Sequence, residues 1–272
     1  MAYRIGTIAK LLGMSAEGIR MYERSGILSA QRENEENDYR SFDHLDITAL
    51  IRARGYHYCG FTTREIEKLI NSSDVEEVAE LYARKEEELR REIVYKRLQM
   101  ECLEEFRRLT EEAEEKLFQI SVRERPALYR FEFIRDGVLI LEGDREKAFR
   151  TWVRKTPMVF LSQMNSWEKL LRGETQVTAA LGILAEDAGA LELDTAYAKY
   201  YKKCCCLYTI VKEQGNQFCP ARCLAHVVGY VKERGIRVTG NPIARTFLSM
   251  NKRDDYTRYR QVWIPAEIER EL

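Results

Sequence analysis

The chain has 272 residues, 45% of them hydrophobic and 32% charged, with equal numbers of basic and acidic side chains. That composition fits a globular protein of about two domains and excludes a disordered chain. No run approaches the roughly 20 apolar residues of a membrane helix, and Met1 leads into Tyr3-Arg4-Ile5 without an apolar leader, so a cytoplasmic protein with no membrane partner is expected.

The zero net charge is unevenly placed. Residues 1–72 carry ten basic and ten acidic side chains, 75–117 carry nine against fourteen, and 118–272 carry twenty-five against nineteen. Nucleic-acid binding through 1–72 would therefore rely on a few positioned cations and backbone amides, not on a broad positive field.

Ile8, Ala9, Leu11 and Leu12 form a short apolar helical face that Gly13 ends. Ser15 is placed to cap a second helix, with Glu17 in its first turn, where the helix dipole favours an anion. Ile19 and Tyr22 give that helix its apolar side and Gly26 ends it. Two short helices around a glycine turn fit a helix-turn-helix, although an ordinary helical hairpin has the same spacing. Polar residues Gln31 to Asp38 and the run Tyr39-Arg40-Ser41-Phe42 lead into a helix from about Asp43 to Arg54. Gly55 and Gly60 read as turn residues before a last helix, capped by Thr62 with Glu65 as its capping-box partner.

Tyr3 to Ser15, Ile19-Arg20-Met21-Tyr22-Glu23-Arg24-Ser25-Gly26-Ile27-Leu28, Asn37-Asp38-Tyr39-Arg40 and Gly60 to Ile66 resemble, in order and spacing, the DNA-binding domain of MerR-family regulators. The resemblance implies a winged helix-turn-helix over 1–74 that binds double-stranded promoter DNA. Arg20 and Arg40 would then sit on phosphates and Tyr22 and Tyr39 would offer hydroxyls to the backbone, contacts that position a protein without specifying sequence. Ala16, Glu17 and Gly18 would come nearest the bases, with Thr7 and Ser15 also at the interface. For Arg20 the competing reading is an intramolecular pair with Glu17 or Glu23. The sequence departs from the family at Met21, where a tyrosine is common, and at Gly18, where glycine inside a helix costs roughly 1 kcal/mol relative to alanine.

Residues 75–117 contain no proline or glycine. Val75, Val78, Tyr82, Leu89, Ile93, Met100, Leu103 and Phe106 make an apolar stripe at near-helical spacing, so 75–118 is expected as one long helix. The resemblance implies that it pairs in an antiparallel coiled coil, giving a homodimer.

Residues 119–272 read as two strand-helix-strand-strand units, making the chain α+β. The first comprises Ala127–Phe133, Asp144–Lys155, Met158–Ser162 and Val177–Leu184. The second comprises Cys204–Val211, Arg222–Arg234 ended by Gly235, Thr246–Ser249 and Tyr256–Ile264. Leu224 to Gly235, Gly240-Asn241-Pro242 and Gln261-Val262-Trp263-Ile264-Pro265 resemble the gyrase-inhibitor-like effector domain of multidrug-responsive regulators, which implies a ligand cavity between the two units. On the last strand Thr257, Tyr259, Gln261 and Trp263 share one face, suited to a flat aromatic ligand, though ordinary core packing would use the same residues. Phe160, Tyr208 and Phe247 are the further contact candidates. Relatives often carry a glutamate where Gln261 stands, so neutral or anionic ligands are expected at least as readily as cations, with Glu132 or Glu186 as the carboxylates that would reverse this.

The seven cysteines are odd in number and read as free thiols. Cys204 and Cys206 fall on one face of a strand, and with Cys219 and Cys223 could form a sulfur site, so a thiol-based metal or redox sensor is an alternative. His226 beside a thiol would allow a ligand-hydrolysing protein, and a ligand-sequestering one is also open. The leading expectation is a non-enzymatic regulator, without cofactor or metal, that distorts its promoter, acts on RNA polymerase only through that distortion, and responds to an aromatic small molecule.

Overall fold

Short capped helices build the first unit of the computed structural model, residues 1–93. The structure describes residues 3–28, 31–34, 37–72, 74–215, 220–252 and 255–268, with only the backbone described for 31–34, 37–41, 252 and 255. β1 (Tyr3–Arg4) runs into α1 (Ile5–Leu12), which stops where Gly13 turns left-handed at φ 59°. Ser15 Oγ accepts the Gly18 amide at 2.9 Å and starts α2 (Ala16–Arg24). β2 (Gln31–Asn34) and β3 (Asn37–Phe42) pair antiparallel, and β1 joins the other edge of β3.

Capping boxes open α3 (His44–Tyr58), through Asp43 and Asp46, and α4 (Thr63–Asn71), through Thr62 and Glu65. Gly55, expected in a turn, lies inside α3. Buried Leu50 and Ala53 on the preceding turn fix the helix by packing, which outweighs the modest cost of one glycine. Ile8, Ile19, Tyr22, Phe42, Leu50 and Ile66 form the core of this unit.

α5 (Val75–Glu112) starts in the first unit and passes into the second, residues 94–272. It ends six residues before the expected limit, and an isolated bridge, Leu117 to Ile210, follows. Pairs such as Glu87–Arg91 and Arg97–Glu101 lie one turn apart along its exposed side.

The rest of the second unit follows in chain order: β4 (Ser121–Arg125), β5 (Leu128–Arg135), β6 (Val138–Leu139), α6 (Asp144–Val153), β7 (Phe160–Asn165), α7 (Trp167–Leu171) and β8 (Val177–Leu184). Then come α8 (Ala185–Ala190), β9 (Lys199–Tyr201), β10 (Cys204–Gln214), a 3-10 turn over Ala221–Leu224, α9 (Ala225–Arg234), β11 (Arg237–Val238), β12 (Ile243–Lys252) and β13 (Asp255–Glu267). Ten strands form one sheet in the order β4-β10-β13-β12-β7-β8-β5-β6, with β9 on β5 and β11 on β13. The middle of that order reads the same from either end, β10-β13-β12 against β5-β8-β7. Two strand-helix-strand-strand units thus meet at β12 and β7, and the fold is α+β.

Alternation along the strands sends side chains to two layers. Leu207, Val211, Val262 and Ile264 pack with Val227 and Val231 of α9. Their neighbours Cys206, Tyr208, Ile210, Tyr259 and Trp263 pack with Leu109 of α5 and with Ala113 just beyond it. Glu114 then accepts hydrogen bonds from Lys212 of β10 and from the Tyr259 hydroxyl of β13, pinning the end of α5 to the sheet.

Gly182 of β8 stands opposite Phe160 of β7, and a Cβ there would lie 2.4 Å from the Phe160 ring. Gly182→Ala should therefore destabilise the chain by about 1–3 kcal/mol through overpacking. Urea unfolding should show a lower midpoint at unchanged slope; an unchanged midpoint would mean that the ring yields freely.

Candidate functional site

Two surfaces carry the side chains singled out above, one in each unit. In the first unit α2 follows α1 across the turn from Gly13 to Ser15, and its outer side is ionic. Glu17 accepts from Arg24 at 2.7 Å and Arg20 at 3.4 Å, and these two cations, Arg24 first, hold its carboxyl below the usual range. Arg20 thus makes the intramolecular pair, though its side chain is 45% exposed. Thr7, Ser15 and Glu17 are exposed, while Ala16 and Gly18 are half-buried at the start of α2. Ser15 Oγ is spent on the helix cap, and a Cβ at Gly18 would stand 3.2 Å from it.

Tyr22 lies three residues after Ile19 on the inner side of α2 and is a core residue, 5% exposed. Burial raises its phenol pKa. Tyr39 and Arg40 fall on β3, and their side chains lie outside the described residues.

In the second unit a cavity of about 410 Å³ opens between the sheet and the last turns of α5. Tyr208, Gln261 and Trp263 line it, as do Glu105 and Arg108 from α5, Arg123 from β4 and Arg245 from β12. Three of the six ligand-contact candidates therefore meet in one hollow. The other three do not line it. Phe247 and Tyr259 meet at a tilt of 46° against Ala113 and α5 in the packed layer, and Phe160 lies under Arg245, 4.6 Å from ring centre to guanidinium.

Sequence reasoning missed Glu105, Arg108 and Arg245. Arg245 is buried, bonded to Glu105 at 2.8 Å and held between the rings of Phe106 and Phe160. Glu132 and Glu186, the expected carboxylates, do not line the cavity; Glu132 is bonded to Arg135. Gln261 Nε2 donates to the Tyr208 hydroxyl at 3.1 Å, while Gln261 Oε1, fully buried, has no partner. Arg123 stacks on Tyr208 with its guanidinium 4.1 Å from the ring centre. Burial raises the Tyr208 phenol, keeping it neutral near pH 7.

The thiols are scattered. Cys204 and Cys206 lie 3.6 Å apart on β10, and burial pushes the Cys206 thiol strongly up, away from thiolate. Cys223 lines a different hollow, with Phe118 and Lys212, and Cys219 lies outside the described residues. Among the described residues no three side chains of metal-ligating type cluster. His226 bonds the Thr209 hydroxyl at 3.1 Å, and among the described residues no thiol is hydrogen-bonded to its ring.

Residues 3–73 match the family model described as MerR HTH family regulatory protein. A mercuric resistance operon regulatory protein from Bacillus cereus is 35% identical over 77 residues, 28% of this chain. The chain spans only 58% of that relative's length. Among solved structures, an EcmrR–DNA complex is 16% identical, covering 97% of this chain and 99% of that one, at a TM-score of 0.35. A MerR-family transcriptional regulator from Bacillus cereus is 20% identical, covering 41% and 85%, also at 0.35. Structural likenesses this weak say nothing about what the chain does.

Asp187, in the first turn of α8, has its carboxyl raised from 3.8 to about 6, chiefly by burial and then by Glu186, against the pull of Arg245. The folded chain holds this proton more tightly than the unfolded chain. Stability from this group is therefore full below pH 3.8 and is lost as pH rises through about 6. Asp187→Asn should flatten that slope and leave the variant more stable than the parent at neutral pH by on the order of 1 kcal/mol, allowing for partial solvation. Urea unfolding of both proteins at acidic and neutral pH checks this, and an equal stability difference at the two pH values would rule it out.

Proposed function

We propose that this chain, whose residues 3–73 are a MerR-family helix-turn-helix domain, is a transcription regulator that binds promoter DNA as a homodimer and answers to an aromatic small molecule. Residues 1–74 would hold the DNA, 75–118 the second subunit, and 119–272 the effector. By distorting the promoter, the dimer would change its use by RNA polymerase without touching the enzyme.

The observation that carries the reading is the presence in one chain of that domain and of a lined cavity with a buried, half-satisfied amide. The dimer is supported by α5, where Leu89, Ile93, Val94, Met100 and Leu103 are exposed in the single chain. An apolar stripe of this length on a helix is what a second copy would cover. On α2, Arg20 and Arg24 share Glu17 in surface pairs, which are worth little and can be exchanged for phosphates. No helix among the described residues is long and apolar enough to cross a membrane.

Two measurements test the proposal. Against duplexes selected from a random pool by the parent protein, Arg20→Ala should bind more weakly and with a salt slope smaller by about 0.9, the share of one phosphate contact. Unchanged affinity in a folded variant would remove Arg20 from the interface. Leu89→Asp should convert dimer to monomer in sedimentation and weaken DNA binding, since each half-site would then be held alone. A parent protein already monomeric at micromolar concentration would overturn the dimer.

A further inference from the structure

We propose that the occupant of the cavity is an aromatic anion that also carries a hydrogen-bond donor. This rests on the cavity's being the effector site and adds the chemical class that fits it. Three observations converge. Glu105 is already engaged with the buried Arg245, and Glu124, at the exposed rim, is matched by Lys203 at 2.6 Å. Glu112 is bonded to Lys116 and is also drawn down by Arg108 and Arg123, one carboxylate facing three cations. The rim thus carries positive charge beyond what its own carboxylates neutralise, where an anion is held by charge-assisted hydrogen bonds.

Inside the rim, Trp263 offers flat apolar area for an aromatic body, beside the Tyr208 ring on which Arg123 lies. Gln261 supplies the third point. It is 5% exposed, its Nε2 is committed to Tyr208, and its Oε1 has no partner among the described residues. An N–H or O–H on the ligand satisfies that oxygen, whereas a ligand without a donor leaves it buried and unmet. The ring would lie against Trp263, the acid group at Arg108 and Arg123, and the donor on Gln261.

The test uses the full chain and two dyes. Anilinonaphthalene sulfonate has a sulfonate, fused rings and one amine hydrogen, and phenylnaphthylamine has the same rings and hydrogen without the sulfonate. Fluorescence titration should show the sulfonate binding about tenfold tighter, the worth of one charge-assisted contact. That advantage should vanish in Arg108→Gln/Arg123→Gln, both exposed positions, with amine binding unchanged. Gln261→Leu should weaken both dyes alike. If Gln261→Leu weakens both dyes but the amine binds as tightly as the sulfonate, the anion proposal is overturned and the cavity stands. If neither dye responds to Gln261→Leu or Trp263→Ala, the dyes go elsewhere and the effector-site reading falls with the proposal.

Discussion

A guanidinium taken out of water is costly unless a carboxylate and further contacts come with it. Arg245 has its side chain 5% exposed on the strand next to β13, and the carboxylate comes from Glu105, on α5. That pairing brings one turn of α5 over the sheet and sets which helical positions face inward. Cys102, Phe106, Leu109 and Ala113 follow at intervals of three and four residues, each against the sheet layer. The stretch of sheet that this row leaves uncovered is the cavity, so its position follows from that one ion pair.

In the first unit the same economy of charge works at the surface. Residues 1–72 have no net charge, and α2 shows how such a segment can still face an acidic polymer. Its cations are held by Glu17 in exposed pairs, which are worth little and release them at little cost.

Much of this was legible in the sequence where the signal is local. The Ser15 cap, the Thr62–Glu65 capping box, the span of β8 and the stop of α9 at Gly235 each depend on residues within a few positions of one another. Gln261 and Trp263 were picked out through strand alternation, which tells faces apart without knowing what covers them. β4 and β9 were not found. Their sequences, Ser-Val-Arg-Glu-Arg and Lys-Tyr-Tyr, are short and largely exposed, and they become strands only because a neighbouring edge receives them. Arg245 fell just outside the expected strand, and Glu105 reads as one of many glutamates on a polar helix. Their meeting spans 140 positions and leaves no local trace. The i, i+3 spacing from Ile19 already placed the Tyr22 ring inward, where the structure has it.

From Val94 onward α5 has two different sides. One side packs on the sheet and supplies Glu105 and Arg108 to the cavity, while Met100 and Leu103 stand exposed on the same few turns. An α-helix is only about 10 Å across, so whatever fills the cavity and whatever covers the stripe act on the same backbone. Thermodynamic reciprocity then applies: if a bound ligand changes the affinity of the stripe for its cover by some factor, the cover changes ligand affinity by that same factor. Where the cover is a second copy, protein concentration becomes a hidden variable in every ligand isotherm, and apparent affinities measured on dilute and concentrated samples will differ in a direction that reveals the sign of the coupling.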